Sequence, residues 1–336
     1  MNQKSQSMKK NKQSFRYDWK QRLQPKLVRF RKLLLGTNDR QGWLIQSVIY
    51  ILLLTIGFVY LYPIFYMVAT SFKSLSDLLD TSIQWLPSEL YLNNYRQAIS
   101  VLNLKESLLG SIVISFVPSI FQVIVTSIVG YGFARFDFKF KKLLMFLMVF
   151  SFIVPPQVLM MPTYVLYNDL GLLGSLYAFI IPAALGQGIK STIFILIFYQ
   201  FFRQTPQSLY EAAEVDGASE WTNFWRIGLP MAVPAIIIVF IFSLVWYWNE
   251  TYLVNLYIAG TTSNAGRNWV TLPIALQRFT TTYEAMYPVT EGGTMKINEG
   301  ITLAGTMITL IPLLITYAIL QKYFTESVDK SGITGE

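Results

Sequence analysis

Two charged residues interrupt otherwise apolar stretches. Lys190 closes Gly186-Gln187-Gly188-Ile189-Lys190, and Glu250 directly follows Trp246-Tyr247-Trp248-Asn249. A charge within a membrane-length apolar stretch costs at least ~2.5 kcal/mol, so it usually faces a cavity or marks function. Lys190 either lines a passage or, if this apolar span is shorter, sits at a protein-buried turn. Trp246, Trp248, Asn249 and Glu250 set aromatic faces beside amide and carboxylate groups. That mixture suits a sugar, which offers apolar ring faces and many hydroxyls. The competing reading of the tryptophans is an aromatic belt near a membrane interface. Gly186 to Ser191 has the outline of a phosphate loop but lacks an adjacent Gly-Lys pair and the required spacing. No other stretch offers such a loop, so nucleotide must be handled by another chain.

The 336 residues contain neither cysteine nor histidine. This removes disulfides, Cys/His metal sites, thiol nucleophiles and imidazole bases. No metal or other cofactor is expected and no catalytic residue is assigned. Without paired intramembrane carboxylates, an enzyme acting within the membrane has little support.

The elements that must position Lys190 and Glu250 are membrane helices. Hydrophobic residues make up 53% of the chain and charged ones 14%, well below the quarter or so usual in soluble domains. Six segments are long and apolar enough to cross ~30 Å of hydrocarbon. They run about 44–68, 108–133, 143–166, 177–202, 235–256 and 301–324. Pro155-Pro156 should break the third. Residues 1–42 carry twelve Lys and Arg against Asp18 and Asp39. The segment is too long and polar for a signal peptide. It reads as a basic cytoplasmic tail, either a helix on anionic lipid through Phe15, Trp19, Leu23, Leu27 and Phe30, or loosely ordered. With the N-terminus inside, inner segments hold 20 basic residues and outer loops 6. That bias predicts a multi-pass protein with both termini cytoplasmic. The domains expected are the tail at 1–42, a transmembrane domain at 43–324 and a C-terminal cytoplasmic tail at 325–336. The outer loops near 72–107 and 259–300 are long enough for small folded elements. No internal repeat is visible, which weakens the case for an inverted-repeat secondary carrier.

The richest pattern lies at 203–232, between the fourth and fifth spans. It reads Glu211-Ala212-Ala213-Glu214-Val215-Asp216-Gly217-Ala218-Ser219-Glu220-Trp221 and runs on to Ile227, Leu229 and Pro230. Physically this is two short helices and a turn. Ser208 and Glu211 fit a capping box that starts the first helix. Asp216-Gly217 stops it, because glycine accepts the left-handed conformation. Ser219 can cap the second helix, Leu229-Pro230 should end it, and Pro234 suits the first turn of span five.

This stretch resembles the EAA loop of ATP-binding cassette (ABC) importer permeases. Their pattern is EAA, three residues, G, then after about nine residues I-x-LP; Glu211, Ala212, Ala213, Gly217, Ile227, Leu229 and Pro230 all fall in place. Asp216 before the glycine and Ala218 after it are similar to the sugar-importing, maltose-type branch. So are Tyr131-Gly132-Phe133-Ala134-Arg135, Trp248-Asn249-Glu250 and Gln321-Lys322-Tyr323-Phe324 with its Gly-containing tail. The resemblance covers residue 45 to the end. It implies an all-α fold of six transmembrane helices with a cytoplasmic two-helix coupling loop, in the plasma membrane of a prokaryote. It also implies an ATPase dimer that receives this loop in a cleft, a second, different permease and an extracellular solute-binding protein. The solute implied is a carbohydrate, an oligosaccharide above all, moved by alternating access. The alternatives are a polyol phosphate, peptide or amino acid importer, or a secondary transporter. No reading calls for nucleic acid.

Overall fold

The computed structural model describes residues 42–83, 85–259, 269–288 and 297–333, with short backbone pieces at 34, 36–37 and 40–41. The proposed lipid-bound helix at Phe15 to Phe30 and residues 260–268 and 289–296 of the last outer loop lie outside them. Apart from a two-residue hairpin of β1 (Gly36–Thr37) and β2 (Arg40–Gln41), the described elements are helical, as an all-α reading expects.

In chain order these are α1 (Trp43–Ser71), α2 (Leu75–Leu79), α3 (Asn93–Val101), α4 (Leu104–Arg135), α5 (Lys141–Ile153) and α6 (Pro156–Asp169). Then come α7 (Tyr177–Ala184), α8 (Ser191–Gln204), α9 (Gln207–Val215) and α10 (Glu220–Asn223), a π-helical turn at Phe224–Gly228, α11 (Leu229–Met231) and α12 (Val233–Asn249). The last are α13 (Tyr252–Val254), α14 (Leu272–Gln277), α15 (Phe279–Met286) and α16 (Glu299–Ile333). The chain divides into two units, Met1–Met67 and Val68–Glu336. In the first, α1 is an apolar helix with no buried residue before Thr70.

Six spans were expected, the third of them broken, and the described residues supply three unbroken ones: α1, α4 and Glu299–Lys322 of α16. Up to two more arise if bent pairs count as spans. Helices α5 and α6 meet at 97°, and Glu220–Met231 meets α12 at 74°. The expected fourth span is two helices, α7 and α8, with a non-helical break at 185–190. The first bend is the one that Pro155-Pro156 foretells. Pro155 precedes the first turn of α6 in extended backbone and Pro156 occupies that turn. The fifth span ends early, at Asn249, and α16 continues past 324 to Ile333.

Helix α4 is the spine of the second unit and packs against α7, α8 and α12. Its buried face is a stripe of small polar residues: Ser107, Ser111, Ser115, Ser119, Gln122 and Thr126. Spacing of four residues, with one step of three from Ser119 to Gln122, keeps them on one face. Ser115, Ser119 and Thr126 satisfy their hydroxyls by donating to the carbonyls of Ser111, Ser115 and Gln122, each at 2.6 Å. Small residues let helices approach closely in an apolar surround. At Gly130 an added Cβ would fall 2.6 Å from Cβ of Phe198 on α8, so only glycine fits.

The segments expected to be outer loops carry short helices among the described residues. Helices α2 and α3 lie within the first. There Asn94 Nδ2 donates to the carbonyls of Ser71 and Lys73 (2.9 and 2.8 Å), and Asp77 accepts from Ser88 Oγ and N (2.6 and 3.0 Å). In the last, Leu272 is buried and its N–H donates to Ser111 Oγ at 2.7 Å. This loop is therefore tied to the spine of the fold.

Candidate functional site

Helix α9 begins at Gln207, after Pro206, two residues earlier than the capping-box reading expects. Ser208 therefore lies inside the helix and caps nothing. Pro206 fixes the entry dihedral, and the Glu211 carboxylate is taken by Gln207 Nε2 at 2.9 Å. The stop is as expected. Gly217 sits at φ +82°; its N–H donates to the Glu214 carbonyl (3.0 Å) and that of Ala218 to the Ala213 carbonyl (2.9 Å). This paired closure with a left-handed residue is the Schellman motif. Ser219 caps α10, its Oγ accepting from Thr222 N at 3.2 Å.

Leu229-Pro230 does not end the second helix, which is a correction. Pro230 has no N–H to offer the Arg226 carbonyl. The chain answers with a widened turn at Phe224–Gly228, in which Leu229 N–H reaches back to Phe224 O, and winds on to Met231. Ile227 and Leu229 are half-buried beneath the loop, and Pro230 is exposed.

The loop is seated on the end of α4 by aromatic packing. Tyr210 is fully buried, with the Arg135 guanidinium carbon 3.8 Å from its ring centroid. Burial pushes its phenol pKa up. Tyr131 meets the rings of Phe202, Phe224 and Tyr210 at 5.2, 5.1 and 6.2 Å. Its hydroxyl donates to Glu220 Oε2 at 3.4 Å. One aromatic side chain from α4 thus contacts both halves of the loop. Outward, the loop presents Glu211, Ala212, Glu214, Val215 and Asp216, with Ala213 and Ala218 half-buried. Val215 is 88% exposed, Trp221 58% and Trp225 52%, so an apolar face is left uncovered.

The family model for the binding-protein-dependent transport system inner membrane component matches residues 122–330. The match takes in this whole loop and its seat. The chain belongs to that family. Protein LplC of Bacillus subtilis is 31% identical to this permease over 284 residues, which cover 83% of the permease and 91% of the relative. A polygalacturonan/rhamnogalacturonan transport permease of the same bacterium, YtcP, is 28% identical (87% and 99% covered). The arabinooligosaccharide permease AraQ of Halalkalibacterium halodurans is 29% identical (84% and 96%). Among solved structures, the permease superposes on a chain of a bacterial ABC transporter involved in import of the acidic polysaccharide alginate. The TM-score is 0.66 at 19% identity, covering 84% of the permease and 96% of that chain. The fold is thus that of an ABC importer permease.

Of the expected pathway residues, Lys190 and Trp246 lie together, and Trp248 and Glu250 lie elsewhere. Trp248 is buried among Ala98, Leu102, Leu272 and Phe279. It is therefore neither a sugar platform nor an interfacial belt residue, a correction to both readings. Glu250 Oε1 accepts from Leu253 N at 2.9 Å and caps the short α13. Asn249 is exposed, its Nδ2 bonded to its own helix at Val245 O (2.9 Å). Trp246 is half-buried and stacks at 5.5 Å on Phe194. Lys190 sits at the turn before α8, in the left-handed region at φ +59°. That conformation costs a non-glycine residue about 1–2 kcal/mol. Sequence reasoning missed the seat itself, Tyr131, Arg135, Tyr210 and Phe224. The available signal was a tyrosine and an arginine closing an apolar span, set against an aromatic just before the Glu-Ala-Ala run.

Proposed function

We propose that this permease imports a carbohydrate, an oligosaccharide above all, as one of two different permeases. They work with an ABC ATPase dimer and an extracellular solute-binding protein. Alternating access in the membrane is driven by nucleotide closure in the ATPases, and no ATP is hydrolysed on this chain. The single observation that carries the reading is the loop at Gln207–Met231. It is anchored on α4 by Tyr131 and Tyr210 and turned sharply at Gly217, with an uncovered apolar face for another protein. A loop held on one side and bare on the other is suited to receiving a push and handing it to the spans. The sugar follows from the relatives, which are named for arabinooligosaccharides and for polygalacturonan/rhamnogalacturonan.

The test is uptake of labelled oligosaccharides, peptides and amino acids by cells with and without this chain, the other subunits being retained. Sugar uptake should require it. Uptake of a peptide or amino acid that requires it, with every sugar unaffected, overturns the carbohydrate assignment. The isolated chain should bind no nucleotide, whereas the assembled complex hydrolyses ATP.

A further inference from the structure

The break between α7 and α8 is a built feature. An unwound backbone at membrane depth must have its polar groups satisfied by protein. Here Gln122 Nε2 donates to the Ile189 carbonyl at 2.6 Å, and Ile189 N–H donates to the Tyr247 hydroxyl at 3.1 Å. Ser243 Oγ in turn donates to Gln122 Oε1 at 3.3 Å. Gly188 admits this clamp, since a Cβ there would lie 2.6 Å from the Tyr247 hydroxyl and 2.9 Å from Gln122 Oε1. Two buried side chains, Gln122 from α4 and Tyr247 from α12, thus hold Ile189, with Ser243 holding Gln122, and the next residue lies in the left-handed region. A lysine in that conformation, where glycine would be free of strain, is an outlier of the kind found at functional sites.

The clamp also fixes the depth of Lys190. Gln122 lies 13 residues from Arg135 at the end of α4, about 20 Å at 1.5 Å per residue. That places the level of Lys190 within a slab ~30 Å thick. Its Nζ lies 5.3 Å from the Phe152 ring centroid and 5.8 Å from that of Trp246. Phe152 closes α5 just before the Pro155 break, so the two broken spans meet at this cation. Lys190 is exposed, and among the described residues no carboxylate lies within ion-pair distance of it.

We infer that Lys190, with Trp246 and Phe152, is a substrate-binding site for a carboxylate-bearing sugar, and that it selects uronate-containing glycans over neutral ones. The ammonium group pairs with the uronate carboxylate and the flanking rings take the apolar sugar face. This rests on the carbohydrate reading above and sharpens it.

The experiment uses the complete transporter with its binding protein, in cells at pH 7. Uptake is compared for oligogalacturonate, oligomannuronate and oligoglucuronate, for their methyl esters, and for neutral arabino- and galacto-oligosaccharides. At least one acidic oligomer should be imported, and Lys190→Gln should lower its uptake about tenfold or more. Any ester or neutral sugar that is carried should be unaffected, and Lys190→Arg should restore most acidic uptake. The inference is overturned if Lys190→Gln leaves acidic uptake intact or lowers acidic and neutral uptake alike. It is overturned equally if only neutral sugars are imported, a result that leaves the carbohydrate reading standing. Failure of every sugar overturns both. Loss of the assembled complex in Lys190→Gln, read by co-purification of the subunits, would assign the lysine to pairing with another subunit and also overturn it.

Discussion

Gly217→Val isolates the coupling role proposed for the loop. A Cβ built on Gly217 has nothing within 4 Å, so steric overlap contributes nothing. What remains is the left-handed backbone at φ +82°, which costs a residue with a Cβ about 1–2 kcal/mol. The least costly relief is to open the turn, losing the Ala218-to-Ala213 and Gly217-to-Glu214 hydrogen bonds and swinging α9 against α10. At 1.4 kcal/mol per tenfold, the population holding the native turn falls about 5- to 30-fold relative to its alternatives. The spans are packed elsewhere and should insert normally. Asparagine tolerates this conformation better than other side chains. The expected order of transport and of ATPase retention is therefore Gly217, Asn, Ala, Val. Membrane insertion, measured by the amount of protein in purified membranes, should be flat across the series. Wild-type uptake and wild-type ATPase retention in Gly217→Val would refute the reasoning, because the strain would then have been absorbed without consequence for coupling.

Three further expectations follow from the same geometry. Tyr210→Ala should unseat α9, since emptying a fully buried aromatic site costs about 3–5 kcal/mol, and limited proteolysis between 205 and 218 should quicken while Tyr210→Phe stays near wild type. In the loop of α2 and α3, the hydrogen bond from the Ser88 hydroxyl is the largest cause holding the Asp77 pKa below 3.8. Its stabilisation is thus present above that value and lost as pH falls through the lowered one; tryptic opening of this loop after acid pulses at pH 5 to 2 should show that step, and Asp77→Asn should abolish it. For topology, single cysteines at Ser5, Ser263 and Ser331 should react with an impermeant thiol reagent in intact cells only at Ser263, and labelling at either end would reverse the assignment.

What was legible in the sequence was whatever depends on backbone chemistry within a few residues. The Gly217 turn, the Ser219 cap and the Pro155-Pro156 break each follow from residue type alone. Capping at Ser208 failed because a proline two positions earlier had already set the helix start, and two local signals competed for one end. Pro230 failed as a stop because a widened turn upstream removes the conflict between its ring and the preceding carbonyls. The seat was illegible for a different reason. Tyr131 and Tyr210 are far apart in sequence, and the local signal at each, an aromatic at a span end and another before Glu-Ala-Ala, does not say that the two meet once α4 and α9 fold together. Trp248 misled because an aromatic near an amide and a carboxylate reads the same whether it lines a passage or fills a core.

One helix carries both the loop's anchor and the clamp on the broken span. Tyr131 and Gln122 are nine residues apart on α4, about 13 Å along a helix without a break. Between them the helix is locked to α8 by Gly130, where Phe198 leaves no room for a side chain. A packed helix transmits displacement rather than absorbing it, because interiors at this density compress little. On the proposed coupling role, a shift applied to α9 and α10 at Tyr131 is expected to reach Gln122, and through it the Ile189 carbonyl and the residue that follows. The joints in the chain lie off this spine, at Pro155 and at 185–190, and those are the places where the backbone can turn while α4 stays whole. Loop, spine and break thus form a single line of contacts running from the exposed face of the Gln207–Met231 loop to Lys190.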